Sequence, residues 1–169
     1  MNDSQKLRED RLVFYEQDIE EFVKVLAELI SMSNAKAALL IDKEGHMVAR
    51  EGTVRSFDTD SLSALVAGSF AATREMAHML GEDEFSVMFH QGQKDNIQLT
   101  LVDDRTILTI IFDDQTQLGM IRLYTQEAVK QLQSVFEQKA ARKDSEPGVD
   151  LDHDFTTAGK AQLDDVFGS

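Results

Sequence analysis

The segment Ile107-Leu108-Thr109-Ile110-Ile111-Phe112 constrains this chain more than any other. A strand with one solvated face alternates apolar and polar residues, but this run is apolar in both registers. Its side chains would point to both sides of a sheet, so both sides must be covered. The run therefore belongs mid-sheet, in a layered fold with helices above and below. A chain of 169 residues can bury such a core without disulfide or metal staples.

The flanking patterns supply the layers. Ile19, Phe22, Val23, Leu26, Leu29 and Ile30 follow the spacing of one helical face, and Ser33-Asn34 ends it. Ala37-Ala38-Leu39-Leu40-Ile41 is too short for a helix and reads as a buried strand, returning through Asp42-Lys43-Glu44-Gly45 into His46–Ala49. Asp58-Thr59-Asp60-Ser61 offers N-cap oxygens to a middle helix that stops at Gly81. Phe85, Val87 and Phe89 share a face of the third strand, and Ile97, Leu99 and Leu101 a face of the fourth. A last helix runs from Leu118 to Ala140, with Ile121, Val129, Leu132, Val135 and Phe136 inward. The order is α-β-β-α-β-β-β-α. Short turns between neighbouring strands predict an α+β, three-layer α/β/α sandwich around an antiparallel five-stranded sheet.

The single proline, Pro147, lies in a thinly apolar stretch. Residues 1–138 are expected to form the domain, 139–154 an acidic linker, and 155–169 a short amphipathic helix. In that last piece Thr157 can cap, and Leu163, Val166 and Phe167 stand at i, i+3 and i+4. So short a helix is marginal alone in water, which suits a tethered ligand for a groove.

The formal charge of −14 argues against nucleic-acid binding and against an anionic membrane surface. The absence of cysteine removes thiol catalysis, zinc fingers and iron–sulfur sites. The polar opening Met1–Lys6 is no signal peptide, and no apolar run reaches the ~20 residues that span a bilayer, so a cytoplasmic protein without membrane insertion is expected. Gly159-Lys160 lacks the rest of a phosphate-binding loop. Asp150, Asp152 and Asp154 imitate a calcium loop, but Phe155 and Ala161 occupy its obligatory glycine and glutamate positions. His46, His78, His90 and His153 show no ligand spacing, so no metal and no cofactor are expected. Asp103-Asp104 and Asp113-Asp114 are candidate acid–base pairs, with turn formation the competing role. Arg50, Arg55 and Arg74 are candidates for a finger supplied to a nucleotide-hydrolysing partner, with surface solvation the plainer role.

The middle helix holds the most informative pattern. At ~100° per residue, Leu62, Leu65, Val66, Phe70, Met76, Ala77 and Leu80 gather on one side as the expected core stripe. Ala64, Ala67, Gly68 and Ala71, then Arg74, Glu75 and His78, gather on the other. A solvated stripe normally carries long charged residues, whereas this small-residue stripe would let another backbone approach closely. It reads as an interaction surface rather than an active site.

Taken together, these stretches resemble the Roadblock/dynein-light-chain family. The residues that carry the resemblance are Asn34-Ala35-Lys36, Asp42-Lys43-Glu44-Gly45, Asp58-Thr59, Ala67-Gly68, Gly81-Glu82-Asp83-Glu84-Phe85, Phe89–Asp95, Ile111-Phe112-Asp113 and Leu118–Leu123. They span Val13 to Glu137; residues 1–12 extend beyond the family pattern, and Arg74-Glu75 charges a stretch that is smaller in relatives. The ending Leu163-Asp164-Asp165-Val166-Phe167 resembles a bacterial branch that regulates a Ras-like small GTPase. The resemblance implies a homodimer, or a higher oligomer, with middle helices side by side and third strands paired. It implies a GTPase seated across the helix pair and driven towards hydrolysis with its own catalytic residues, in polarity or gliding-type motility, the protein concentrating at a cell pole. The expected partner-binding residues are Ala64, Ala67, Gly68, Ala71 and Glu75, with Leu163, Val166 and Phe167 promoting nucleotide exchange. The alternatives are a non-activating scaffold that tethers a GTPase or motor, and a small-molecule sensor or enzyme, which would need a polar cavity.

Overall fold

A computed structural model describes residues 16–53 and 58–145. In chain order they form α1 (Glu16–Ser33), β1 (Ala37–Asp42), β2 (Met47–Gly52), α2 (Thr59–Met79), β3 (Val87–Gln91), β4 (Asp95–Leu101), β5 (Thr106–Asp113) and α3 (Leu118–Ser145). The chain divides into two compact units, Met1–Phe136 and Glu137–Ser169. In the second, the described part is the end of α3, where Arg142 Nε donates to the Gln138 carbonyl at 3.5 Å.

The sheet is antiparallel throughout, in the order β2-β1-β5-β4-β3. The apolar run Ile107–Phe112 therefore lies in its central strand, paired on both sides and buried along its length. Its side chains split between two cores. Leu108, Ile110 and Phe112 join Leu40, Phe22, Leu26, Leu29, Ile121 and Leu132 under α1 and α3. Ile107 and Ile111 join Leu39, Ile41, Leu99, Val66 and Phe70 under α2. This is the expected three-layer arrangement, and the alternation of one strand builds both layers. Phe22 and Phe136 hold α1 to α3 with ring centroids 5.0 Å apart.

Local chemistry sets the ends of the elements. Asn34 takes φ 58°, and its N–H donates to the Ile30 carbonyl, which stops α1 as Ser33-Asn34 predicts. Gly81 follows Leu80, the C-cap of α2, with φ 80°; its N–H reaches the His78 carbonyl and that of Glu82 reaches Ala77, the paired bonds of a Schellman stop. The last helix runs past the expected Ala140 to Ser145. Ala140, Ala141, Arg142 and Lys143 are strong helix formers. Two ion pairs clamp opposite ends of the sheet. Lys43 Nζ meets both Glu84 carboxylate oxygens at 2.6 and 2.9 Å, fixing the segment after α2 to the β1–β2 turn. Lys36 Nζ lies 2.7 Å from Asp95, and this hydrogen bond raises the lysine's pKa above its ordinary value.

Candidate partner-binding surface

The middle helix begins on a well-made cap. Asp58 accepts from the Asp60 N–H at 3.0 Å and the Ser61 hydroxyl at 2.7 Å. These bonds, the Ser61 one foremost, hold its carboxyl below the usual carboxylate range. The inward arc of α2 is Ser63, Val66, Ala67, Phe70 and Ala77. Two expectations change here. Ala67, placed on the smooth outer stripe, is turned inward and only 8% exposed. Leu65, Met76 and Leu80, placed in the core, are 69%, 52% and 74% exposed. Apolar residues occupy nearly the whole circumference of this helix, so periodicity gives a wide arc but not the direction in which the sheet lies.

Of the remaining expected contact residues, Ala64, Gly68, Ala71 and Glu75 are all exposed on α2. The β1–β2 turn comes up beside Ala64: a Cβ on Gly45 would stand 3.1 Å from its Cα. A Cβ on Gly68 would meet nothing within 4 Å. A glycine in the middle of a helix costs ~1 kcal/mol against alanine, and nothing among the described residues packs closely enough to require this one. Leu163, Val166 and Phe167 lie outside the described residues, as do residues 1–12, Arg55 and His153.

The structure also sorts the catalytic candidates. Asp103 accepts from the Arg105 N–H and Asp113 from the Gln115 N–H, both as turn formers. They precede and end β5, so the two aspartate pairs sit at opposite ends of a strand of eight residues, about 25 Å long. They cannot act on one substrate atom. Arg50 and Arg74 are exposed, on β2 and α2. One grouping escaped the spacing argument: the hairpin brings His46 to Asp42 and Glu44, with ligand-capable atoms within 4.8 Å of one another. Its geometry is that of the turn itself, since Asp42 Oδ1 accepts from the Glu44 and His46 N–H groups at 3.0 and 2.8 Å. No described helix is long and apolar enough to cross a membrane.

With this surface in view, the comparisons with known proteins converge. A Roadblock/LC7 domain model matches residues 21–112. Among solved structures the chain is similar to Myxococcus xanthus MglB, at 38% identity and a TM-score of 0.71, covering 75% of this chain and 96% of that one. It is similar to the gliding protein MglB of Thermus thermophilus, at 32% identity and a TM-score of 0.70, covering 75% and 96%. A further MglB structure, described as having a tetrameric arrangement, matches at 32% identity, a TM-score of 0.70 and the same coverage.

Proposed function

This chain belongs to the Roadblock/LC7 family, and from that premise we propose that it regulates a Ras-like small GTPase of the MglA type. In this reading the protein is a homodimer without catalytic residues of its own. It binds the GTP-loaded partner across its paired α2 helices and holds it in the hydrolysis-competent arrangement, within a polarity or gliding-type motility system. The observation that carries the reading is the exposed face of α2, where a mid-helix Gly68 faces open space between Ala64 and Ala71. The likeness to two MglB proteins at 38% and 32% identity supports it.

The test is phosphate release from a GTP-loaded MglA-type GTPase with and without this protein. Addition should speed hydrolysis, and the protein alone should release none. Ala71→Arg should abolish the effect without unfolding the chain, because Ala71 is exposed and the arginine meets only the partner. Arg50→Ala should keep most of the activity; a loss of about a thousandfold would instead mean that Arg50 is an arginine finger. Unchanged activation by folded Ala71→Arg would remove α2 from the partner surface.

A further inference from the structure

The face of the sheet opposite α2 carries its own exposed apolar side chains. Met32 on α1 is 54% exposed, and Met120 and Leu123 on α3 are 41% and 59% exposed. Contacts at both ends set α1 and α3 side by side and antiparallel. The Thr116 hydroxyl donates to the Asn34 carbonyl at 3.1 Å where α1 has ended and α3 is about to begin, and Phe22 meets Phe136 at the other end. Two more contacts fix how each helix is turned. Ile30 faces β2, since its Cδ1 lies 2.9 Å from where a Cβ on Gly52 would stand. Gln133 faces the end of β4, where its Nε2 donates to the Val102 carbonyl at 2.6 Å. At ~100° per residue, Glu28 and Met32 stand on the far side of α1 from Ile30, and Met120, Tyr124 and Glu127 on the far side of α3 from Gln133. Because β1 and β5 lie between β2 and β4, those far sides face each other across a furrow, with Leu123 on its rim.

The walls decide what fits between them. Both are helices whose backbone groups are bonded internally, so the furrow offers no edge for an added strand. An occupant must satisfy its own backbone. A third helix does so while laying an apolar stripe on Met32, Met120 and Leu123. The two methionines suit that role, because an unbranched thioether adapts to varied apolar shapes. Charge sets the rest. Glu28 and Glu127 are exposed, one on each wall. Exposed acids on α1 outnumber its bases four to one, and the one base, Lys24, lies 3.4 Å from Glu21. Between residues 118 and 136 the bases are Arg122 and Lys130, which stand within ~60° of Gln133 and so away from the furrow. A second copy seated here would set these acids against one another, and residues 139–169 carry seven acids against four bases, so neither suits the site.

We propose that the α1–α3 furrow is a second docking site, on the opposite face from the proposed GTPase surface, and that it takes a cationic amphipathic helix of another protein. That helix lays its apolar stripe on Met32, Met120 and Leu123, while its lysines or arginines meet Glu28 and Glu127. The site uses no residue of α2, so the chain can hold this partner and the GTPase together.

The probe is a synthetic peptide of leucine and lysine with its leucines at helical spacing, titrated calorimetrically into the full-length protein. A peptide of the same composition in scrambled order measures attraction to an acidic protein in general. The wild type should bind the helical peptide at least about tenfold more tightly than the scrambled one, and Leu123→Lys should erase that preference. Glu127→Lys should weaken binding, whereas Glu75→Lys, the same charge change on α2, should leave it unaltered. All three positions are exposed, so the variants should keep the fold by far-UV circular dichroism. Leu123→Lys should also accelerate GTP hydrolysis as the wild type does. Equal binding of the two peptides, or unaltered binding by folded Leu123→Lys, overturns the site. A smaller mass by light scattering for Leu123→Lys means that a second copy fills the furrow and overturns the occupant. A preference that appears only when the chain begins at Val13 means that residues 1–12 fill it, and overturns the occupant likewise. Loss of acceleration in Leu123→Lys while the wild type keeps it overturns the separation of the two sites. A wild type that binds the helical peptide through Leu123 yet accelerates no GTPase upholds this inference and sinks the functional reading.

Discussion

Replacing Gly68 with alanine separates what this chain needs from what its partners need. Within the chain the change is favourable. Glycine inside a helix such as the 21-residue α2 costs roughly 0.5–1 kcal/mol relative to alanine, from backbone entropy. The added methyl meets no atom within 4 Å, so no clash offsets the gain. Gly68→Ala should therefore stabilise the chain by roughly 0.5–1 kcal/mol, a rise in thermal midpoint of about 1–4 °C for a domain of this size. Under the proposed function the same methyl is unfavourable, since it would occupy space where a second helix and the GTPase are proposed to approach the backbone. Activation should fall while the fold strengthens. Urea denaturation followed by far-UV circular dichroism at several protein concentrations separates the two effects, because the chain's own gain is independent of concentration and the association loss is not. Phosphate release from the GTPase reads the functional arm. A variant destabilised at every concentration would mean that the surroundings of Gly68 are misread. A variant both more stable and fully activating would mean that no backbone approaches there.

Three further outcomes follow from other parts of the molecule. Gly52→Ala should destabilise the fold by upward of about 2 kcal/mol in urea melts, since φ is 95° and the new Cβ would stand 2.3 Å from the Lys36 carbonyl oxygen and 2.8 Å from the Ala37 Cα. Asp58→Ala should lower the thermal midpoint at pH 7. Because Asp58 has a depressed folded pKa, its contribution is full above the ordinary carboxylate range and is lost as pH falls through the folded value, so the gap between wild type and variant should close between about pH 5 and pH 2; a gap unchanged at pH 2 would refute the charged cap. Ending the chain at Arg142, which removes Leu163, Val166 and Phe167, should slow release of a fluorescent nucleotide from the GTPase and weaken binding; equal rates and equal affinities would deny the tail that role.

The elements and their order were legible because each rests on short-range physics. Asp58 supplies an oxygen to the first free N–H groups of α2 whatever the rest of the chain does, and Gly81 can turn left-handed where other residues resist. The candidate site was legible in part. Ala64, Gly68, Ala71 and Glu75 are exposed as the pattern suggests, while Ala67 is buried and Leu65, Met76 and Leu80 are not. The grouping of His46 with Asp42 and Glu44 was missed because a hairpin turn, rather than a helical repeat, brings them together.

The sequence by itself determined that this chain folds around a doubly covered central strand. Ile107–Phe112 is apolar in both registers, and no arrangement with a solvated face can satisfy it. Only the tertiary structure decided which apolar side of α2 meets the sheet. Burial in the core and burial against another chain draw on the same non-directional hydrophobic effect, so Val66 and Phe70 look like Leu65 and Met79 until the helix is set down on the sheet. Once it is, the first pair lies in the core under α2 and the second faces outward.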